Sequence, residues 1–455
     1  MSTFDVIIIG AGLAGPLLAN GLIASGISVR IYEKQLVDAK REGYQIRIAE
    51  PSLQSFDMML ENDKIDKIKS KMGRFAQRQR TTPFWYDADF RFLFDMGRVS
   101  SKYHGSAPMD RVVLRDILIE KPTLQGVLHY GKSFTSYEIL NQNKHDEKVR
   151  VRFEDGTAAE CHLLIAADGS QSGINKMIGL DNIRDIPVYN FITKARLSDE
   201  LFAKLPHTAQ TAPILVTSDK KTFFCVAYLP AKDHASDAST SKDAFDEGRA
   251  TFTFSILIPI EDCPKDVRSW DKRDQWNFLS QAVEGWNPVY RQIIDVVKDE
   301  QLWVFQPRAA VRPTLTWRDK VKSNTVPGLG HPRVWVLGDA FHPMLPNRGM
   351  GGNQAMFDTT IILPLVKKLN AIHDANGAVA TSQIAEACKV FEQEMIPRAF
   401  YWVEASGGVE AVQFDTRTLK GQFIVVVIRV TATFQEMWTA VKALFRGSSK
   451  GEKHD

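Results

Sequence analysis

Three clusters of glycine and acid in this chain could hold an anionic, hydroxyl-rich ligand. The first is Gly10-Ala11-Gly12-Leu13-Ala14-Gly15. Gly10 permits a tight turn and Gly12 lets the backbone approach a pyrophosphate. Gly15 lets a following helix pack closely on the strand before it, so that helix N-terminal amides point at the phosphates. Glu33 stands eighteen positions after Gly15, where a ribose hydroxyl needs an acceptor. The second cluster is Asp168-Gly169-Ser170-Gln171-Ser172, and the third runs from Gly338-Asp339 to Gly349-Met350-Gly351-Gly352-Asn353. Asp339 can accept hydrogen bonds from a polyol, and the Gly349–Asn353 backbone can lie against a ring or a phosphate.

Each cluster needs an element to carry it. Asp5 to Gly10 reads as a buried parallel strand, and Leu17, Leu18, Leu22 and Ile23 repeat with helical spacing after the turn. Pro16 is tolerated in that helix's first turn. Ser28 to Glu33 is a second strand that ends on the acid. Leu163 to Ala167 and Val334 to Leu337 are further apolar strands, and the latter leads into a helix through Ala355, Phe357, Ile361 and Leu365. Strand, glycine turn, helix, strand and terminal acid together point to a dinucleotide. The first motif does not separate NAD from FAD, since both present an ADP half to the same turn.

Composition bounds the rest. A chain of 455 residues fits two or three domains, and 44% hydrophobic with 24% charged residues is enough to build a large core. Lys+Arg 57 against Asp+Glu 54 leaves +3, too little to build a nucleic-acid-binding field. Cys161, Cys225, Cys263 and Cys388 lie far apart, so neither a disulfide framework nor a metal site is expected. A strand and turn over Asp5–Gly15 occupy the place of a cleavable leader. The longest apolar run, Phe423–Ile428, is far short of the roughly 20 residues of a spanning helix. A cytoplasmic protein is expected.

The ordered set GAGLAG, Glu33, ADGSQS and GDAFHPMLPNRGMGGN resembles the class A flavoprotein monooxygenases, the para-hydroxybenzoate hydroxylase-like family. The resemblance covers about residues 4–50, 108–180 and 330–400. It implies an α/β fold in which a Rossmann-like FAD-binding domain is interleaved with a β-sheet substrate domain, followed by C-terminal helices. The expected FAD-binding segments are 1–75, 97–182 and 330–410, with 76–96 and 183–329 in the substrate domain, 411–446 a C-terminal helical segment and 447–455 a disordered tail. The implied cofactor is FAD, with NAD(P)H as a transient electron donor, because no second GxGxxG is present. The implied reaction inserts oxygen into an electron-rich phenol, indole or polyketide-like molecule, in secondary metabolism. A flavin-dependent reductase or oxidase on the same scaffold is the alternative.

By the same resemblance Gly10, Gly12, Gly15 and Glu33 hold the ADP half, Asp168 lies near the pyrophosphate and pyridine nucleotide, and Asp339 binds the ribityl chain. Gly349, Gly351, Gly352 and Asn353 bring backbone to the flavin. Arg111, first in Arg111-Val-Val-Leu114-Arg115, reaches the flavin; a solvated helix charge paired with Asp110 or Asp116 is the other reading. Arg47 is a candidate to polarise flavin or substrate, and Arg196 is a candidate proton donor or anion clamp. Pro346 offers a carbonyl toward the flavin edge, with simple loop stiffening as its alternative. His342 reads as a structural histidine. Ile384–Ala405 reads as a helix interrupted at Pro397-Arg398. Phe423–Phe445 has apolar residues on more than one face, so it could line the substrate entrance, pack on the core, or lie on a membrane surface beside Lys442, Arg446 and Lys450.

Overall fold

Short strands of two to five residues, rich in Val, Ile and Leu, assemble as a parallel sheet in the computed structural model. The structure describes residues 3–39, 45–73, 82–96, 106–228, 250–323, 325–409, 415–431 and 433. Residues 40–44 and 229–249, and the expected helix and tail positions beyond 433, lie outside these residues. The chain divides into two units, 1–72, 108–186 and 307–411 in unit 1 and 73–107, 187–306 and 412–455 in unit 2. The segment 307–329, expected with the substrate sheet, therefore lies in unit 1. Trp317 and Arg318 show why: Trp317 joins the unit 1 core, and Arg318 reaches the His331 and Val334 carbonyls at 2.9 Å each.

In unit 1, β1 (Asp5–Ile9) leads into α1 (Ala14–Ala24), β2 (Ser28–Tyr32) and β3 (Gln45–Ile48). Helix α2 (Arg111–Leu124) precedes β4 (Leu128–His129), β5 (Leu163–Ala166) and the short α3 (Gly173–Met177). Strand β6 (Val334–Val336) precedes the long helices α4 (Gly351–Asn376) and α5 (Thr381–Ala405). The sheet order is β6-β5-β1-β2-β4, all parallel. Its strands are solid with Val, Ile and Leu because helices cover parallel sheets on both faces. Residues 6–9 of β1 are at most 4% exposed. Asp110 caps α2 by accepting the Val112 and Val113 amides at 2.7 and 3.2 Å. Pro397 does not break α5, which continues to Ala405 with Met395, Ile396, Ala399 and Phe400 all buried. Packing on both sides of the proline outweighs its lost hydrogen bond.

Unit 2 is built on a seven-stranded sheet. Its order is Trp303–Phe305, Val188–Leu197, Ala250–Pro259, Lys221–Tyr228, Ile214–Ser218, Phe84–Tyr86 and Phe92–Asp95. Apolar and aromatic residues cluster over 186–196, 221–228 and 251–259 in the pattern of strands, strands are present there within two residues, and the 82–94 segment joins the same sheet. Helices Lys272–Ala282 and Pro288–Val297, which sequence reading did not anticipate, cover one face. Tyr290, Ile293, Ile294 and Val297 give the second of them an apolar stripe at i, i+3, i+4 and i+7. Phe191, Phe223, Phe252 and Phe254 are fully buried beneath these helices. The aromatic residues at strand spacing are thus core.

Strand alternation turns the intervening residues to the other face. Arg196 pairs with Thr251 and Thr251 with Tyr228; Lys194 pairs with Thr253, and Ile192 with Ser255. That face is polar. Ser255 donates to the Asn190 side chain at 2.7 Å, while Asn190 Nδ2 and Thr253 Oγ1 are buried without a hydrogen-bond partner.

Candidate FAD site

The register of the parallel sheet gathers the motifs. Ile9 is level with Ala166 and Tyr32, and Ala166 with Val336. Gly10, Glu33, Asp168 and Asp339 therefore follow the carboxyl ends of four neighbouring strands, the edge at which open α/β sheets bind ligands. Gly10 has φ +107°, and a Cβ there would meet the Ala167 carbonyl oxygen at 2.4 Å. A Cβ on Gly15 would sit 2.2 Å from the Gly10 oxygen, so that glycine permits close helix packing. Gly12 differs, since a Cβ there would have no atom within 4 Å. The first and third loops lie near each other, since a Cβ on Gly352 would sit 3.8 Å from Leu13, and one on Gly349 (φ +62°) would sit 3.1 Å from the Arg47 stem on β3.

Glu33 is buried, and its carboxylate holds the turn. Oε2 accepts the Ala11 amide at 2.8 Å and Oε1 the Gln35 amide at 2.9 Å. Each oxygen keeps a lone pair for a ribose hydroxyl. Arg115 braces the same turn, its Nε donating to the Ala11 carbonyl from a buried position. Sequence reading passed over Arg115; the signal was a charged residue beside Leu114, Ile117 and Leu118 on the buried face of α2.

Asp168 lies beside the first turn of α3. Burial pushes its carboxyl up to about 6, against the Ser172 hydroxyl and the Gly173 and Ile174 amides, which act downward. Its Oδ1 is buried without a partner. A carboxyl raised from an ordinary 3.8 to about 6 lends stability that is complete below the unfolded value and lost as pH rises through the folded one. Asp168→Asn should therefore gain in melting temperature over the parent, in FAD-free protein, as pH rises through about 6. A constant difference in melting temperature across that range would count against the buried carboxyl.

Asp339 is set deep among protein atoms, which pushes its carboxyl up, while Arg111 and His342 act downward by charge. Its side chain is nevertheless accessible to solvent. A carboxylate that solvent reaches is open to a ligand. Arg111 is half-buried at the start of α2, within electrostatic reach of Asp339. A Cβ on Gly351 would lie 3.7 Å from Asp339 Oδ1. Behind this loop Asp358 is fully buried and accepts from the Gly338 amide and pairs with His342 Nε2, both at 2.8 Å. Arg398 donates to Asp358 Oδ1 at 2.8 Å and to Gln354 Oε1 at 2.6 Å. Burial alone would raise the Asp358 carboxyl, but His342 and Arg398 more than offset it and hold it low. His342 is structural, as expected.

Two of the expected groups already make hydrogen bonds within the protein. The Asn353 side chain is committed to protein, accepting from the Ala49 amide (2.8 Å) and Ser52 hydroxyl (2.6 Å) and donating to the Arg47 (2.7 Å) and Gly349 (2.8 Å) carbonyls. With both its donors and its acceptor engaged, only its backbone can serve a flavin. The Pro346 carbonyl accepts the Gly349 amide at 2.9 Å and so closes its own turn. Arg47 is half-buried on β3, and Arg196 is exposed on the polar face of the unit 2 sheet.

The residues fit a dinucleotide. The N-termini of α1 and α4 have no side-chain cap, leaving backbone amides for phosphate or flavin oxygens. Gly12 is open to close approach, and the unpartnered Asp168 Oδ1 adds an acceptor. A sequence profile described as FAD binding domain matches residues 3–378. The chain belongs to that family.

The resemblance to class A flavoprotein monooxygenases is borne out, and the cofactor is FAD. Among characterised relatives, 6-hydroxynicotinate 3-monooxygenase of Pseudomonas fluorescens is 24% identical over 83% of this chain and 89% of its own. The dual O-methyltransferase/FAD-dependent monooxygenase CTB3 of Cercospora beticola is also 24% identical, over 83% of this chain. The match spans only 44% of that longer relative. A crystal structure of a putative FAD-containing monooxygenase from Photorhabdus luminescens superposes with a TM-score of 0.68 at 20% identity, covering 90% of this chain and 100% of the other. That likeness supports the fold.

Proposed function

We propose that this protein is an NAD(P)H- and O2-dependent monooxygenase that hydroxylates or epoxidises an electron-rich aromatic small molecule in secondary metabolism. The observation that carries this reading is the convergence of the three glycine-acid loops on one edge of the parallel sheet, within a chain of the FAD-binding family. FAD, when bound, supplies the redox chemistry, taking electrons from NAD(P)H and activating O2. The protein's own groups hold, orient and shield. Glu33 and the glycine turn grip the ADP half, Asp168 and Asp339 accept hydrogen bonds from its hydroxyl-bearing parts, and Arg111 balances charge near Asp339. Arg47 is assigned to polarising flavin or substrate. Arg196, beside Thr251 and Tyr228, is assigned to proton donation or to holding an anionic substrate group.

The test is isotopic. Purified FAD-loaded protein is given NAD(P)H, 18O2 and a panel of phenols, indoles and hydroxypyridines. The expected result is substrate-stimulated NAD(P)H consumption with one 18O atom in the product. Consumption without incorporation under any substrate would move the protein to the reductase or oxidase class.

A further inference from the structure

Residues 419–431 of unit 2 are helical, and the helix has two apolar faces. Val425 and Ile428 pack with Trp85, Phe94 and Leu215 at one edge of the sheet. Thr416 Oγ1 donates to the Thr217 carbonyl at 2.9 Å, and Arg429 Nε to the Leu93 carbonyl at 2.7 Å, pinning the helix there. On the other side Leu419, Phe423, Val426, Val427 and Val430 are 86, 68, 52, 45 and 49% exposed. At 100° per residue these five fall within a stripe about 100° wide, turned away from Val425 and Ile428. One exposed leucine needs no explanation, but a contiguous apolar stripe on a helix already anchored by its other face does.

Charge decides what covers it. Lys420 and Arg429 flank the stripe on either side. From Arg417 to Lys450 the chain carries Arg417, Lys420, Arg429, Lys442, Arg446 and Lys450 against a single acid, Glu436. No glycine or proline occurs between Gln422 and Arg446, and the four-and-three apolar spacing of Phe423, Val427 and Val430 continues in sequence through Phe434, Met437, Val441 and Leu444. A second copy pairing on this stripe would set like charges against each other with almost no acid to oppose them. An anionic lipid surface satisfies both features, since apolar side chains enter the headgroup boundary while flanking lysines and arginines meet lipid phosphates and carboxylates. No described helix is long and apolar enough to cross a membrane, and an interfacial helix does not need to cross one. We propose that the outer face of the helix at 419–431 is a peripheral binding site for anionic membrane surfaces.

The experiment uses the full-length FAD-loaded protein with two kinds of vesicle, phosphatidylcholine alone and phosphatidylcholine mixed with phosphatidylserine. Sedimentation should bring the protein down with the mixed vesicles, far less with the neutral ones, and less with the mixed ones at high salt. Phe423→Glu and Val430→Glu should each lower partitioning about tenfold or more. Lys420→Glu should lower it for the mixed vesicles alone. Retained flavin absorbance certifies that each variant is folded. No sedimentation of the parent with mixed vesicles overturns the proposal. So does binding that these three variants leave unchanged. A concentration-dependent dimer that Phe423→Glu dissociates, in protein that ignores vesicles, also overturns it and assigns the stripe to a second copy.

Discussion

Asp339→Ala is expected to leave the column largely without flavin, with an affinity for added FAD lowered about 100-fold or more. The carboxylate is deep in unit 1, accessible, and perturbed by the charges of Arg111 and His342, with no hydrogen bond to the protein among the causes of its shift. Its acceptor capacity is available to a ligand. Hydrogen bonds to a charged group are worth roughly 1.5–3 kcal/mol each, so losing two from a polyol chain costs about 3–6 kcal/mol, or two to four powers of ten. Asp339→Asn retains one acceptor oxygen and should fall between parent and alanine variant. The ratio of flavin to protein absorbance after purification, followed by a fluorescence titration with FAD, reads the effect. Full stoichiometric flavin in the alanine variant would remove Asp339 from the ribityl contact.

The second large effect separates two glycines that look alike in the motif. Gly10→Ala puts a Cβ 2.4 Å from the Ala167 oxygen and 2.8 Å from its carbon, at a φ of +107°. Neither partner can yield, because the Gly10 amide donates to the Tyr32 carbonyl and the Ala167 amide to the Ile9 carbonyl, both at 2.8 Å. A backbone-to-backbone clash inside the central sheet should cost about 4 kcal/mol or more and leave little folded protein. Gly12→Ala meets nothing within 4 Å. Its FAD-free form should melt within a few degrees of the parent, while its FAD affinity falls because the added methyl occupies the line of approach to the pyrophosphate. Thermal melts of both FAD-free variants, with flavin content beside them, distinguish the roles. Equal destabilisation by the two substitutions would sink the distinction.

The sequence made the parallel sheet legible because β1, β5 and β6 are apolar over most of their length and, like β2, run into a glycine or an acid, and parallel register then brings those ends together. Glu33, Asp168 and Asp339 were found on that logic. What stayed hidden depends on long-range partners. Asp358, Arg398 and Arg115 are charges on otherwise apolar helical faces, and their purpose appears only once the Gly338 amide or the Ala11 carbonyl is seen opposite them. Asn353 was located correctly, yet its side chain serves Arg47 and Ala49, some 300 positions away in the chain. In unit 2, alternation located the strands, but it could not tell which face the helices at 272–297 would cover. Phe191, Phe223, Phe252 and Phe254 consequently proved to be core, and Thr251, Thr253 and Ser255 lie buried on the opposite face.

Unit 1 is assembled from three separated pieces, 1–72, 108–186 and 307–411, and β6 and α4 enter the site after residue 330. During synthesis the glycine turn emerges first but has no Asp339 loop to face it until most of the chain has been made. The outer edge of β5, where β6 pairs, has no strand beside it until residues 187–306 have been translated. Flavin loading is therefore a late event in biogenesis, and chains truncated before α4 should not acquire cofactor however well their first hundred residues collapse.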